Sequence, residues 1–106
     1  MVIGSRAVER PWESVNAAAY AASKAAVVAL AQARAAEVLE AGVRVNAVLP
    51  STLDTAANRA AMPKADASRW VSTDSLADVV AFLLSEGARD VSGAALPVYG
   101  RAVRAT

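Results

Sequence analysis

The chain has 106 residues, a net charge of +1 from interspersed charges of both signs, and neither cysteine nor histidine. That length bounds it to one domain, and the charge balance gives no reason to expect a nucleic-acid or anionic-membrane partner. The missing cysteines and histidines exclude disulfides, cysteine nucleophiles and Ser-His-Asp triads, and no metal site is expected.

Residues 1–4 are short and apolar and read as the end of a buried strand closing at Gly4-Ser5. They carry no basic segment ahead of a long apolar run, so no signal peptide and a cytoplasmic location are expected. Residues 6–14 form a polar loop with Pro11 as a breaker. Residues 15–41 hold no glycine or proline and are dominated by alanine, which predicts one long helix. Lys24, Gln32, Arg34 and Glu37 interrupt its apolar character, so it is not expected to span a membrane. Gly42 falls where a helix C-terminus favours a left-handed residue. Val43, Val45, Ala47 and Leu49 alternate over residues 43–49 and predict a strand that Pro50 ends.

Residues 51–71 read as a long irregular stretch with one short helix near 58–61; a loop of that length is usually functional. Ser72 is placed to cap the next helix, with Asp74 in its first turn. Leu76, Val79, Val80, Leu83 and Leu84 make the spacing of a core-facing stripe, and Gly87 ends it. Residues 94–99 predict a last strand and 101–106 a frayed tail. Strand, helix, strand, helix, strand is the alternation of an α/β fold with a parallel sheet, here in a single domain over residues 1–106.

Tyr20 and Lys24, in Tyr-Ala-Ala-Ser-Lys, lie one helical turn apart. An ammonium at that distance stabilises a phenolate, which would let Tyr20 give a proton to a carbonyl or imine as hydride arrives. Lys24 would keep donors for a ribose hydroxyl. The alternative is a solvated surface pair without a role. In the loop, Arg59 offers a cation and Trp70 a flat apolar face suited to a planar substrate. Equally, Trp70 would pack on the last helix and Arg59 would be solvated.

The Tyr20–Lys24 pair, the helix length after it, and Arg44-Val45-Asn46-Ala47-Val48-Leu49-Pro50 together resemble the catalytic half of the short-chain dehydrogenase/reductase superfamily. The resemblance implies the C-terminal part of a Rossmann-like parallel sheet. It also implies Tyr20 as acid/base, Lys24 tuning it and holding the nicotinamide ribose, and Ser5 orienting the substrate oxygen. Ser5 lies two positions further from Tyr20 than is usual in the family, which an insertion in the 6–14 loop reconciles; Ser14 is the rival, too near the helix start. The alternative for Ser5 is a hydroxyl bonding local backbone. Pro50-Ser51 stands for the family's Pro-Gly, and Ser51 restricts the backbone there. Leu53 matches the residue whose backbone meets the carboxamide, and Thr55 a hydroxyl that contacts cofactor. NAD or NADP is the cofactor implied.

Pro50, Thr52-Leu53-Asp54-Thr55, Asn58-Arg59, Met62-Pro63, Ala65-Asp66, Ser68 and Trp70 resemble the corresponding loop of dihydropteridine reductases and related bacterial reductases, with Ala56 where those have proline. This implies a carbonyl or quinonoid pterin-like substrate contacted by Arg59 and Trp70. No Gly-x-x-x-Gly-x-Gly turn is present: Gly4, Gly42, Gly87, Gly93 and Gly100 are scattered. The dinucleotide-binding half is therefore expected to be absent, and the truncated chain inactive alone. A homo-oligomer through the alanine-rich helix is expected, at Ala17-Ala18-Ala19 and Ala35-Ala36. Arg34, where relatives place leucine, would pair with Glu37 or put a charge into that interface. The rival function is a non-catalytic oligomerisation or interaction module derived from such an enzyme.

Overall fold

A computed structural model describes residues 1–102; of the expected frayed tail, residues 103–106 lie outside the described residues. Along the chain come β1 (Val2–Ile3), α1 (Ala18–Glu37), β2 (Ala47–Pro50), β3 (Leu53–Asp54), α2 (Ala56–Ala61), β4 (Val71–Ser72), α3 (Thr73–Leu84) and β5 (Ala95–Val98). Strands β1, β2 and β5 form a parallel sheet in that order, with Val2 opposite Ala47 and Pro50 opposite Val98. The parallel α/β architecture expected from the alternation is the one observed.

All four residues of β2 are buried, as a central strand covered on both faces requires. Ala47 and Leu49 pack with Val28 of α1, whereas Val48 packs with Leu76 and Leu83 of α3 and with Val71. The two long helices thus cover opposite faces of the sheet.

Several boundaries differ from the sequence expectation. The first helix begins at Ala18 rather than residue 15, because Asn16 takes a left-handed φ of 64° and no side chain caps the start. It ends at Glu37, and a 3-10 turn at Leu39–Ala41 closes on Gly42 at φ 73°, the left-handed position expected of that glycine. The strand expected over 43–49 is β2 alone. Upstream of it, the Asn46 carbonyl still accepts from the Val2 amide at 2.9 Å, while its side chain makes the bonds on the other side: Nδ2 donates to the Val91 carbonyl at 2.8 Å and Oδ1 accepts from the Ala94 amide at 3.1 Å. Arg44 turns aside to donate to the Leu83 carbonyl at 2.7 Å, satisfying the C-terminal end of α3. Pro50 closes β2 from within as its last residue.

Residues 51–71 are more ordered than expected. β3 and β4 pair in parallel as a second, two-stranded sheet, and α2 starts at Ala56 with Thr55 as its cap. In α3, Ser72 caps as expected, accepting from the Ser75 amide at 3.0 Å. Leu76 and Leu83 are buried, but Leu84 is 64% exposed because the helix stops there and Ser85 turns the chain away.

Candidate active site

Alanines make the site possible. The buried positions of α1 are Ala21, Val28, Ala31 and Ala35. Methyl groups on that face bring the helix axis near the sheet, so Lys24 reaches past the end of β1. Its Nζ donates to the Ile3 carbonyl at 3.0 Å and lies 5.9 Å from the centroid of the Tyr20 ring. Tyr20 is 51% exposed on the open side of α1. One ammonium proton is engaged by Ile3, and the remaining donors of Lys24 are available to a hydroxylated ligand.

Ser5 follows directly. Its Oγ accepts from the Ala7 amide at 3.2 Å and caps a 3-10 turn at Arg6–Val8. The local-backbone role weighed for Ser5 is therefore real, and it leaves the hydroxyl proton to donate elsewhere. Ser14 precedes α1 and its carbonyl accepts from the Ala17 amide at 2.9 Å.

The exit of β2 is stitched to the exit of β5. The Ser51 amide donates to the Val98 carbonyl at 3.1 Å, and the Ser51 Oγ donates to the Tyr99 carbonyl at 2.9 Å. A serine in place of the family's glycine thus fixes the backbone by a bond of its own. Leu53 lies in β3, its carbonyl accepting from Asn58 Nδ2 at 2.8 Å. The Thr55 Oγ1 accepts from the Asn58 amide at 3.1 Å. Arg59 forks onto Asp54 with bonds of 2.6 and 2.9 Å. This bidentate pair holds the Asp54 carboxyl below its usual range, through the Arg59 hydrogen bond first.

A cavity of about 380 Å³ opens beside these strand ends, lined by Arg6, Glu13, Ser51, Thr52, Arg69 and Trp70 among others. Trp70 is among its lining residues. Arg59 is not among its lining residues; the loop cation that reaches it is Arg69, which sequence reading passed over although it adjoins Trp70. Arg6, also missed, bonds Glu13 at 3.0 Å and stands 5.3 Å from the centroid of the Tyr99 ring. Burial, and then the nearby Glu9 carboxylate, pushes the Tyr99 phenol above its ordinary value. No sequence signal joined positions 6 and 99, because their contact depends on β2 and β5 being neighbours.

The donor set suits the ribose and nicotinamide end of a dinucleotide: an ammonium with free donors beside a phenol, and a strand exit carrying hydroxyls. It does not suit a pyrophosphate, since no glycine cluster exists to let backbone amides approach one. Among the described residues, no group of three His, Cys, Asp or Glu side chains is placed to hold a metal ion. Among the same residues, no helix is long and apolar enough to cross a membrane.

A family model described as enoyl-(acyl carrier protein) reductase matches residues 1–100. The 3-oxoacyl-[acyl-carrier-protein] reductase MabA of Mycobacterium tuberculosis is 41% identical over 106 residues, covering 92% of this chain and 42% of that protein. FabG of Pseudomonas aeruginosa, of the same description, is 37% identical over 89 residues, covering 76% of this chain and 36% of that protein. Among solved structures, acetoin dehydrogenase YohF of Salmonella typhimurium superposes with a TM-score of 0.78 at 34% identity, covering 94% of this chain and 41% of that one. A 3-ketoacyl-(acyl-carrier-protein) reductase of Brucella melitensis complexed with NADH gives 0.76 at 32% identity, covering 96% and 44%. The chain spans less than half the length of these relatives. With the Tyr20–Lys24 pair on α1 and the parallel sheet beneath it, the chain belongs to the short-chain dehydrogenase/reductase superfamily.

Proposed function

We propose that this chain carries the proton-donating and ribose-holding part of an NAD(P)-dependent carbonyl reductase, and that it acts joined to a dinucleotide-binding half. The observation that carries the reading is the Lys24 ammonium, fixed on the Ile3 carbonyl at 3.0 Å and held beside the Tyr20 ring. A reduced nicotinamide, when bound, supplies the hydride. Tyr20 gives its phenolic proton to the carbonyl oxygen as the carbon is reduced. The phenolate left behind is stabilised by the adjacent Lys24 charge, and the spare donors of Lys24 hold ribose hydroxyls. Ser5 keeps its hydroxyl proton for the substrate oxygen, since its lone pair is what serves the Ala7 amide. Pro50, Ser51, Leu53 and Thr55 line the nicotinamide side. Trp70 walls the substrate cavity, while Arg59 serves the substrate loop through Asp54 instead of touching the cavity.

Between a carbonyl and a quinonoid pterin-like substrate, the carbonyl is favoured, because these relatives are named for 3-oxoacyl and acetoin substrates. A cytoplasmic location fits such a reductase. Homo-oligomerisation through α1 is supported by Leu30, 70% exposed on that helix. Arg34 bonds Glu37 at 2.7 Å, so its charge is already satisfied on the chain's own surface.

The test joins this chain to the N-terminal segment of the Mycobacterium tuberculosis relative and follows NADH and NADPH oxidation with 3-ketoacyl thioesters and small diketones. The chimera should turn over with one cofactor preferred, and the 106-residue chain alone should bind neither saturably. A folded chimera inert to every carbonyl would contradict the reading. Micromolar cofactor binding by the chain alone would contradict the proposed division of the site.

A further inference from the structure

We infer that Gly4 is the positioning residue that sets where Lys24 sits, acting through Val28. The inference rests on the proposed role of Lys24. Gly4 is buried, and it lies between Ile3, whose carbonyl receives the Lys24 ammonium, and Ser5. A Cβ placed on Gly4 would lie 2.8 Å from Val28 Cγ2 and 2.7 Å from Leu49 Cδ2. Both are closer than carbon atoms come, so something must shift.

The surroundings decide what shifts. Leu49 is 1% exposed and Val28 3%, each packed on Ala47 in the same cluster, so neither side chain has room to swing. A valine γ-carbon is also fixed to its helix by a stiff χ1. Strand β1 cannot retreat without loss, because the Gly4 amide donates to the Val48 carbonyl at 2.8 Å. The movable body is α1, lifted away from the sheet. Val28 and Lys24 are one turn apart on one helix face, so a lift at Val28 is a lift at Lys24. The Lys24–Ile3 bond is 3.0 Å and has little slack before it fails as a hydrogen bond.

The requirement is for size and not for backbone freedom. The glycines with positive φ are Gly42, Gly93 and Gly100, and Gly4 is not among them. Alanine is therefore conformationally acceptable at Gly4, and its methyl alone is the obstacle. A cut at Val28 removes one of the two contacts and opens room into which Leu49 Cδ2, the other, can move, so it should undo the damage, which backbone strain would not allow.

The experiment uses the whole chain with lysines labelled in ¹³C and ¹⁵N. Only Lys24 and Lys64 are present, so Lys64, on the exposed loop, serves as an internal reference. The readout is the exchange rate of the ammonium protons, slowed at Lys24 by its bond to Ile3. In the unmodified chain, Lys24 should exchange at least about tenfold more slowly than Lys64, the scale of a charge-assisted bond. Gly4→Ala should bring Lys24 to the Lys64 rate. Val28→Ala should leave it slow, and Gly4→Ala/Val28→Ala should restore it.

A folded Gly4→Ala chain with slow Lys24 exchange would overturn the inference. So would a double variant that stays fast or fails to fold, since Val28→Ala removes two methyl groups for the one added and leaves Leu49 Cδ2 room to move aside. If Gly4→Ala alone does not fold, slow or fast exchange in the double variant still supports or overturns the inference. The measurement needs no turnover, so an inactive chimera would remove the proposed function and leave the placement result standing.

Discussion

The two long helices cover opposite faces of one strand by different means. Helix α3 buries Leu76 and Leu83, whose side chains fill the space over Val48 and Val71. Helix α1 buries alanines and a single valine, and meets glycines: a Cβ on Gly4 would strike Val28, and one on Gly93 would touch the Ala35 Cβ at 3.8 Å. A leucine layer supplies apolar area and tolerates small adjustments by rotamer change. A methyl layer supplies less area but fixes the height of the helix, because nothing on it can fold aside. The side proposed to hold the chemistry is the one on which the helix itself buries nothing larger than a valine. In this molecule, α3 contributes chiefly stability and α1 chiefly placement.

That division should be visible on substitution. Leu83→Ala removes a 3%-exposed side chain from the α3 cluster. It should cost about 2–5 kcal/mol by denaturant unfolding, the range for buried leucine truncation. Ala31→Leu, at a 3%-exposed position of α1, should err in the opposite direction. Overpacking there should cost about 1–3 kcal/mol and, in the chimera, lower turnover by more than the lost stability explains. If Ala31→Leu were tolerated with full turnover, α1 would not be the fixed element described here. Arg44→Ala withdraws the guanidinium from the Leu83 carbonyl at 2.7 Å. It should destabilise by about 1–3 kcal/mol through the exposed end of α3, with amide exchange rising first in residues 82–88.

The smallest expected effect is on the segment between the two strands of the second sheet. The Asp54 carboxyl is held low by the Arg59 hydrogen bond first, so the folded form binds its proton less readily than the unfolded one. Its contribution is therefore complete above the ordinary aspartate value of about 3.9 and fades as pH falls through the lower folded value. Asp66 follows the same sign, lowered by its bonds from Ser68. Amide exchange across 54–61 should rise in that acid window while the protection of α1 is unchanged. Simultaneous loss in both regions would show that the loop is not an independent unit.

How much was legible in the sequence follows the same physics. Periodicity and composition marked the long helices because alanine content and leucine spacing act locally. The two-residue strands β3 and β4 were not legible, since their pairing is decided by where β2 delivers the chain. Asn46 looked like an ordinary strand residue; only the fold reveals that its side chain bonds the Val91 carbonyl and the Ala94 amide ahead of β5. Tyr20 and Lys24 were legible as a pair because a helix fixes i and i+4 side by side. Their anchoring on Ile3 was not, because it spans from one end of β1 to a helix that begins after two intervening turns. The exchange of Arg59 for Arg69 beside the cavity has the same origin. Asp54 at the end of β3 captures Arg59, a contact created by the turn into α2.

The central claim is that Tyr20, held beside the Lys24 ammonium, moves the proton. The most direct measurement is the single-turnover rate of Tyr20→Phe in the chimera, with cofactor affinity measured on the same sample. Phenylalanine keeps the ring and loses only the hydroxyl that carries the proton. The account predicts a rate lowered by about 10²–10⁴-fold, the range for one general acid, with nicotinamide affinity nearly unchanged. A variant that keeps most of its rate, or that loses cofactor binding in proportion, would contradict it.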